Sequence, residues 1–232
     1  MRAAGRERAG SGESDDDESG IGTIAANAEK KTFHAAEQDT VEGGQARAAF
    51  QELIRQREGE HLLFVDETGS HIDLARPYAW APRGQRAYAA KPRNRGRAVT
   101  MIGAMGIEGL VAMMSVEGGT DGDVFRSYVE QVLAPRLRPG HVVIMDNLKA
   151  HKVRGIREAI EAAHATLLYL PPYSPDLSPI ELCWSKVKAA LRARAARTRD
   201  ALDLAWTDAL ASISASDAQH WFAHCGYRTA PN

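Results

Sequence analysis

Two apolar runs in this 232-residue chain break off at a carboxylate: Leu62, Leu63, Phe64 and Val65 lead into Asp66, and Val142, Val143, Ile144 and Met145 lead into Asp146. Each run has the length and side-chain content of a strand buried on both faces, so the acid marks where the strand ends. If the two strands lie parallel and side by side, both carboxylates emerge at the carboxyl edge of a sheet, where open α/β sheets place their ligand-binding groups. Carboxylates held close in a partly dry site either raise a pKa or share a cation, and hard divalent ions such as Mg²⁺ take such oxygen ligands. A third acid, Glu181, follows the proline-rich stretch LPPYSPDLSPIE, residues 170–181. Taken alone it reads most simply as the last member of an S-x-x-E capping box, with Ser178 as the cap and Pro179 at the first helical position. The competing reading is a third metal ligand.

The combination favours the ligand. FVDETG at 64–69, MDNLKAHK at 145–152, LPPYSPDLSPIE and the thirty-four residues between Asp146 and Glu181 together resemble the mariner-related DDE transposases of bacterial insertion sequences. The resemblance runs over about residues 60–228. It implies a ribonuclease H-like fold, with Asp66, Asp146 and Glu181 as the catalytic, metal-binding triad for two Mg²⁺ or Mn²⁺ ions. It also implies cleavage and transfer of DNA strands, double-stranded DNA (transposon ends and target) as the partner, and a homodimer as the active form. Two metals about 4 Å apart can activate a water or 3′-hydroxyl on one side of phosphorus and stabilise the leaving oxygen on the other, so no protein nucleophile is needed. The family's N-terminal helix-turn-helix domains have no counterpart in residues 1–59, so a separate or frameshift-fused DNA-reading subunit is expected. A stand-alone ribonuclease H-like nuclease and an inactive remnant that only binds DNA are the alternatives.

Neighbouring residues have narrower readings. Asn147 either hydrogen-bonds a ligand carboxylate or caps the turn after its strand. His151 either approaches the scissile phosphate or caps the following helix. Glu67 directly follows Asp66 and on a strand must point to the opposite face, which suits a structural ion pair better than a metal. Asp73 and Asp176 read as turn or surface acids. His220, His224 and Cys225 have no second ligand cluster, so helix packing is the simpler account than zinc. There is no GxSxG elbow, Walker loop or GxGxxG after a strand.

Two basic features suit a polyanion. Glu181, Ser185, Lys188 and Arg192 follow at helical intervals, continuing the ligand stripe as a basic one, with a merely solvated face as the alternative. Residues 76–97 hold Arg76, Arg83, Arg86, Lys91, Arg93, Arg95 and Arg97 with no acid, interleaved with Tyr78, Trp80 and Tyr88. That composition suits phosphate contacts and base stacking, against a solvated hairpin.

The elements that must position these residues come in a legible order. LLFVDET, SHIDLA, AVTMIGAM and GLVAMMSV read as strands, the last two joined as a hairpin at Gly106–Gly109. A helix from about 121 to 134 follows, then strand 141–146, a helix over 153–163, strand ATLLYL, and a helix over 179–195. Strands first and alternation afterwards predict an α/β fold with a mixed sheet flanked by helices. Residues 61–228 are expected to form the catalytic domain and 46–60 a linker helix. Residues 1–45, acidic and glycine-rich, are expected to form a disordered tail and linker. No apolar run reaches the roughly 18 residues of a membrane span, and no apolar h-region follows the N-terminal arginines. The expected location is the cytoplasm, in association with the nucleoid and not a membrane, with Cys183 and Cys225 reduced.

Overall fold

The computed structural model of the chain describes residues 36–229, so most of the expected N-terminal tail lies outside the described residues. The sheet has five strands in the order β3-β2-β1-β4-β5. Strand β1 (Leu62–Ser70) pairs antiparallel with β2 (Val99–Gly106), which forms a hairpin with β3 (Gly109–Glu117). On its other side β1 pairs parallel with β4 (Val142–Met145), and β4 in turn with β5 (Thr166–Tyr169). The sheet is therefore mixed, as its strand pattern predicts.

Strand alternation divides the core in two. Phe64 and Ile144 belong to one apolar cluster with Trp184, Val187, Trp206 and Phe222. Val65, Val143 and Met145 belong to the other, with Phe125, Tyr128, Ile156 and Ile160. The second face is covered by α2 (Gly122–Tyr128) and α3 (Ile156–Ala162), the first by α4 (Pro179–Arg194), α5 (Arg199–Ala211) and α6 (Ala215–His224). The helix expected over 121–134 is not uniform: after α2 it widens to a π turn, Val129–Leu133, and tightens to a 3₁₀ turn, Ala134–Arg136. Pro135, with no amide hydrogen, cannot continue an α-helical ladder there.

Two boundaries differ from expectation for identifiable reasons. SHIDLA is not a second strand, because β1 runs unbroken to Ser70, opposite Val99 where β2 begins. Beyond Ser70 no strand is available to pair with, and the chain turns out of the sheet, Ile72 N donating to Arg95 O at 3.3 Å. At the N-terminus, helix α1 (Val41–Arg55) starts before Gln45 and contains Gly43 and Gly44. Each glycine costs a helix about 1 kcal/mol. Thr40 Oγ1 offsets part of this by accepting from Gly43 N at 3.0 Å, a cap contributing about 1 kcal/mol. The buried Phe50 and Ile54 add roughly 2 kcal/mol each, so docking outweighs the penalty. The expected linker over 36–45 is thus largely helical, beginning with a 3₁₀ turn, Ala36–Asp39.

Candidate active site

The parallel pairing of β1 with β4 sets Phe64 opposite Ile144. Asp66 and Asp146 each stand two residues further on, so both point to the same face just past the end of the parallel pairing; Asp146 follows the end of β4, but Asp66 does not end its strand as expected, because β1 runs on to Ser70 against β2. That face is the one covered by α4. Opposite Asp66 on β2 lies Gly103, where a Cβ would come within 2.8 Å of both Met113 Sδ and Trp184 Cη2. The missing side chain lets Trp184 settle against the sheet, and with it the first turn of α4, which carries Glu181. The Ser178 side chain makes no cap bond, so the capping-box reading of Glu181 does not hold. The helix is entered by the 3₁₀ turn Pro175–Leu177 and Pro179 instead.

The three carboxylates line one cavity of about 420 Å³, shared with Asn147, Leu148, Tyr173 and the prolines of 171–175. Burial and the neighbouring Glu181, Glu67 and Asp146 charges push the Asp66 carboxyl up to about 8, against a local backbone hydrogen bond that lowers it. Glu181, at the rim, is also raised by desolvation and by Asp146, while Lys188 pulls it down. Asp146 goes the other way: burial raises it, but hydrogen bonds from His151 and Leu148 N bring it below its ordinary value. A desolvated carboxyl crowded by other acids is stabilised by a cation, and an all-oxygen donor set suits Mg²⁺ or Mn²⁺. Among the described residues no three such side chains already stand at one ion's coordination distance. The expected convergence is therefore a shared cavity and not a finished cluster, as mutual repulsion of like charges favours with Glu181 exposed at the rim.

His151 is fully buried and does neither of the things its sequence position suggested. Its Nδ1 lies 2.7 Å from Asp146 Oδ1 and its Nε2 3.0 Å from Glu67 Oε2, with the ring 4.1 Å from that of Phe125. Burial lowers the imidazole's affinity for a proton, but the two acids override this and raise it to about 9, so at neutral pH it donates to both. Glu67 sits on the opposite face from Asp66, as alternation requires, and that is where His151 meets it. Asn147 bonds no ligand carboxylate and caps no turn: its Nδ2 donates to Leu170 O, tying the ends of β4 and β5 together.

The basic features separate into held and unheld residues. Asp73 lies in a turn, one of its two readings, but is buried and not at the surface, and it pairs with Lys91 and Arg95 at 3.2 Å each. Arg97 pairs with Glu117 at 2.6 Å. Among the described residues Arg76, Arg83, Arg86 and Arg93 hold no ion pair, and Tyr78, Trp80 and Tyr88 are almost fully exposed. The segment has no regular secondary structure. Its base is clasped by Arg197, which donates to Ile72 O at 3.0 Å, Leu74 O at 2.8 Å and Ala90 O at 3.5 Å. No local pattern in the sequence announces that role. Lys188 stays near Glu181, whereas Arg192 lines a second cavity with Arg76, Tyr78 and Trp80, so the helix stripe runs from the carboxylates toward the basic segment. Asp176 is the expected turn acid at the surface, on the 3₁₀ turn Pro175–Leu177, and Arg47 reaches it at 2.6 Å.

The family model described as DDE superfamily endonuclease matches residues 61–203, more than half of the chain and all three carboxylates. Comparison with curated protein sequences finds no match. Among solved structures the chain is similar to a pre-cleavage Mos1 transpososome, at 14% identity over 88% of this chain and 64% of that one, with a TM-score of 0.66. It is similar to the Mos1 strand transfer complex at 15% identity over 88% and 63% of the two chains, TM-score 0.65. It is also similar to the Mos1 transposase catalytic domain with raltegravir and Mg, at 12% identity over 80% and 90%, TM-score 0.57. At such identities the likeness is one of fold, which is ribonuclease H-like, and the chain spans 64% of the transpososome chain it matches. By the match over residues 61–203, the chain belongs to the DDE superfamily endonucleases.

Proposed function

We propose that this DDE superfamily endonuclease is the catalytic domain of a mariner-related transposase, cutting DNA strands and joining them to a target, with Asp66, Asp146 and Glu181 holding its divalent ions. The observation that carries the reading is the meeting of two aspartates on neighbouring parallel strands and a helix-borne glutamate around one cavity. When bound, Mg²⁺ or Mn²⁺ supplies activation of the attacking oxygen and stabilisation of the leaving one. The chain's own residues orient and screen. His151 and Leu148 N fix the Asp146 carboxylate, at 2.7 Å and 3.0 Å from Oδ1, so a ligand oxygen is already aimed when an ion arrives. Leu148, Pro171, Pro172 and Tyr173 wall the cavity with apolar surface, which limits water and strengthens the electrostatics within. Lys188 and the unpaired arginines of 76–97 neutralise phosphates without reading sequence.

The neighbours that are transpososomes and strand transfer complexes support transposon ends and target DNA as the partners. A separate or frameshift-fused helix-turn-helix subunit and a homodimer complete the proposal, because phosphate-binding arginines cannot select a sequence. The test is cleavage of plasmid DNA carrying element ends, in Mg²⁺ or Mn²⁺, followed by joining of a 3′-hydroxyl oligonucleotide. Asp146→Asn should lower cleavage by at least a thousandfold while leaving DNA affinity close to wild type, with the stability lost at His151, which keeps Glu67 as its partner, too small to account for that fall. Cleavage without any strand joining returns the plain nuclease reading. Cleavage that survives Asp146→Asn removes the triad altogether.

A further inference from the structure

Glu181 is delivered to the cavity by a segment that neither sheet nor helix holds. Residues 171–178 contain Pro171, Pro172 and Pro175, with Tyr173 at a positive φ of 56°. Within the segment there is one 3₁₀ turn, with Leu177 N to Ser174 O at 3.1 Å and Ser178 N to Pro175 O at 2.9 Å, a Ser174 Oγ to Pro172 O bond at 3.2 Å, and the buried Leu177 side chain. An isolated turn of this kind fixes little.

The anchoring comes from outside. The Arg47 guanidinium of α1 forks onto Asp176, Nη1 to Oδ1 at 3.0 Å and Nη2 to Oδ2 at 2.6 Å, and Nη1 also donates to the buried Ser174 Oγ at 2.9 Å. Tyr227, near the other end of the described chain, donates its hydroxyl to Leu177 O. Helix α1 is seated for this by Phe50 and Ile54, one and two turns beyond Arg47, which share a cavity with Leu177 and Tyr227. Arg47 and Tyr227 both lie outside the residues matched by the family model, so this anchoring belongs to the flanks of the catalytic segment.

We propose that Arg47 is a positioning residue for the Glu181 side of the active site, coupling the seating of α1 to the geometry of the carboxylate cavity. The inference rests on the metal-binding reading proposed above. The segment passes directly into Pro179 at the start of α4, two residues before Glu181, so movement of Ser174 or Asp176 displaces the glutamate's helical turn. Only an arginine fits the arrangement, because a planar fork can meet both Asp176 oxygens and Ser174 at once, and an ammonium cannot hold that geometry. Whatever moves α1 is felt at the metal ligands, although α1 contributes no residue to the cavity.

The experiment uses the full chain and two readouts that need no turnover: Mn²⁺ binding followed by electron paramagnetic resonance, and hydrogen exchange of residues 170–178. Arg47→Ala and Asp176→Asn should each weaken Mn²⁺ binding about fivefold and speed exchange in that segment. The double variant should be no worse than either single one, and Arg47→Lys should regain less than half of the loss. Ile160→Val, in the opposite core cluster, controls for general destabilisation and should keep wild-type Mn²⁺ affinity. Unchanged Mn²⁺ binding in Arg47→Ala, or a loss matched by Ile160→Val at equal melting temperature, overturns the proposal. If the wild type binds no Mn²⁺, the metal reading fails instead. Exchange then decides the anchoring on its own: unaltered exchange in Arg47→Ala refutes it, and faster exchange upholds it.

Discussion

Glu67 and Asp146 end up on either side of a histidine with no exposed surface, and strand geometry explains why. Because successive side chains alternate across β1, placing Asp66 toward α4 forces Glu67 into the layer beneath, where an unpaired carboxylate would be costly. His151 supplies the countercharge there and uses its second nitrogen to orient Asp146. The two aspartates are legible in the sequence because an apolar run that stops at an aspartate is a local signal, although β1 itself continues past Asp66 to Ser70. The histidine's role is not, because its partner Glu67 lies 84 residues away. Removing one member of a buried ion pair strands the other, at a cost of about 3 kcal/mol. His151→Ala should therefore lower unfolding free energy by roughly that amount in urea titrations. Adding Glu67→Gln should restore part of it. A double variant less stable than His151→Ala would show that Glu67 does not depend on this histidine.

At the scale of elements, close approach between α4 and the sheet decides where Glu181 stands. Gly103→Ala would push a methyl into Met113 and the buried Trp184. Methionine yields and a packed indole does not, so an overpacking cost of about 1–3 kcal/mol is expected. Melting temperature should fall, and cleavage should fall further than the lost stability explains, since α4 tilts from its Glu181 end. An unchanged cleavage rate per folded molecule would mean that Trp184 does not govern the glutamate. The chain's other helices show what a sequence conceals. Helix α1 starts before the expected residue 46 because the Thr40 cap and the docked Phe50 and Ile54 carry Gly43 and Gly44 within it. Helices α5 and α6, by contrast, start at local signals, Thr198 capping the first and Ser214 with Asp217 forming a capping box for the second. Asp73 pins a loop in a way that pH exposes. Burial alone would raise its carboxyl, but Lys91 and Arg95 hold it below the ordinary value. Its stabilisation is present above the unfolded value near 4 and is lost as pH falls through the lower folded value. Wild type and Asp73→Asn should differ in melting temperature at pH 7 and converge as acidification passes through the lowered folded value.

Across the whole molecule, charge is divided between an acid-lined cavity and a basic, aromatic-rich segment, connected by the Glu181, Lys188 and Arg192 stripe of α4. Under the function proposed above, an ion held at the first would neutralise the reacting phosphate, and arginines at the second would meet phosphates further along the duplex. Composition revealed the basic segment but not the division of labour within it, because the acids that engage Lys91, Arg95 and Arg97 come from Asp73 and Glu117 outside it. Those three bases already have partners, so DNA must compete for them. Arg83, Arg86 and Arg93 have no such partner among the described residues and stand exposed, so on the proposed function they would contribute counterion release directly. Each phosphate contact adds about 0.9 to the slope of log affinity against log salt. Replacing Arg83, Arg86 and Arg93 by alanine should therefore flatten that slope by about 2 to 3, equally for element-end and scrambled duplexes. Replacing Arg95 and Arg97 instead should change the slope by less than 1 while lowering the melting temperature, because the ion pairs at the base of the segment are lost. Fluorescence anisotropy over a series of KCl concentrations, with both duplexes and both variants, measures each slope. If the Arg95/Arg97 variant gave the larger flattening, DNA would have to displace Asp73 and Glu117 on binding, and the segment would be reorganised by its ligand instead of presented to it.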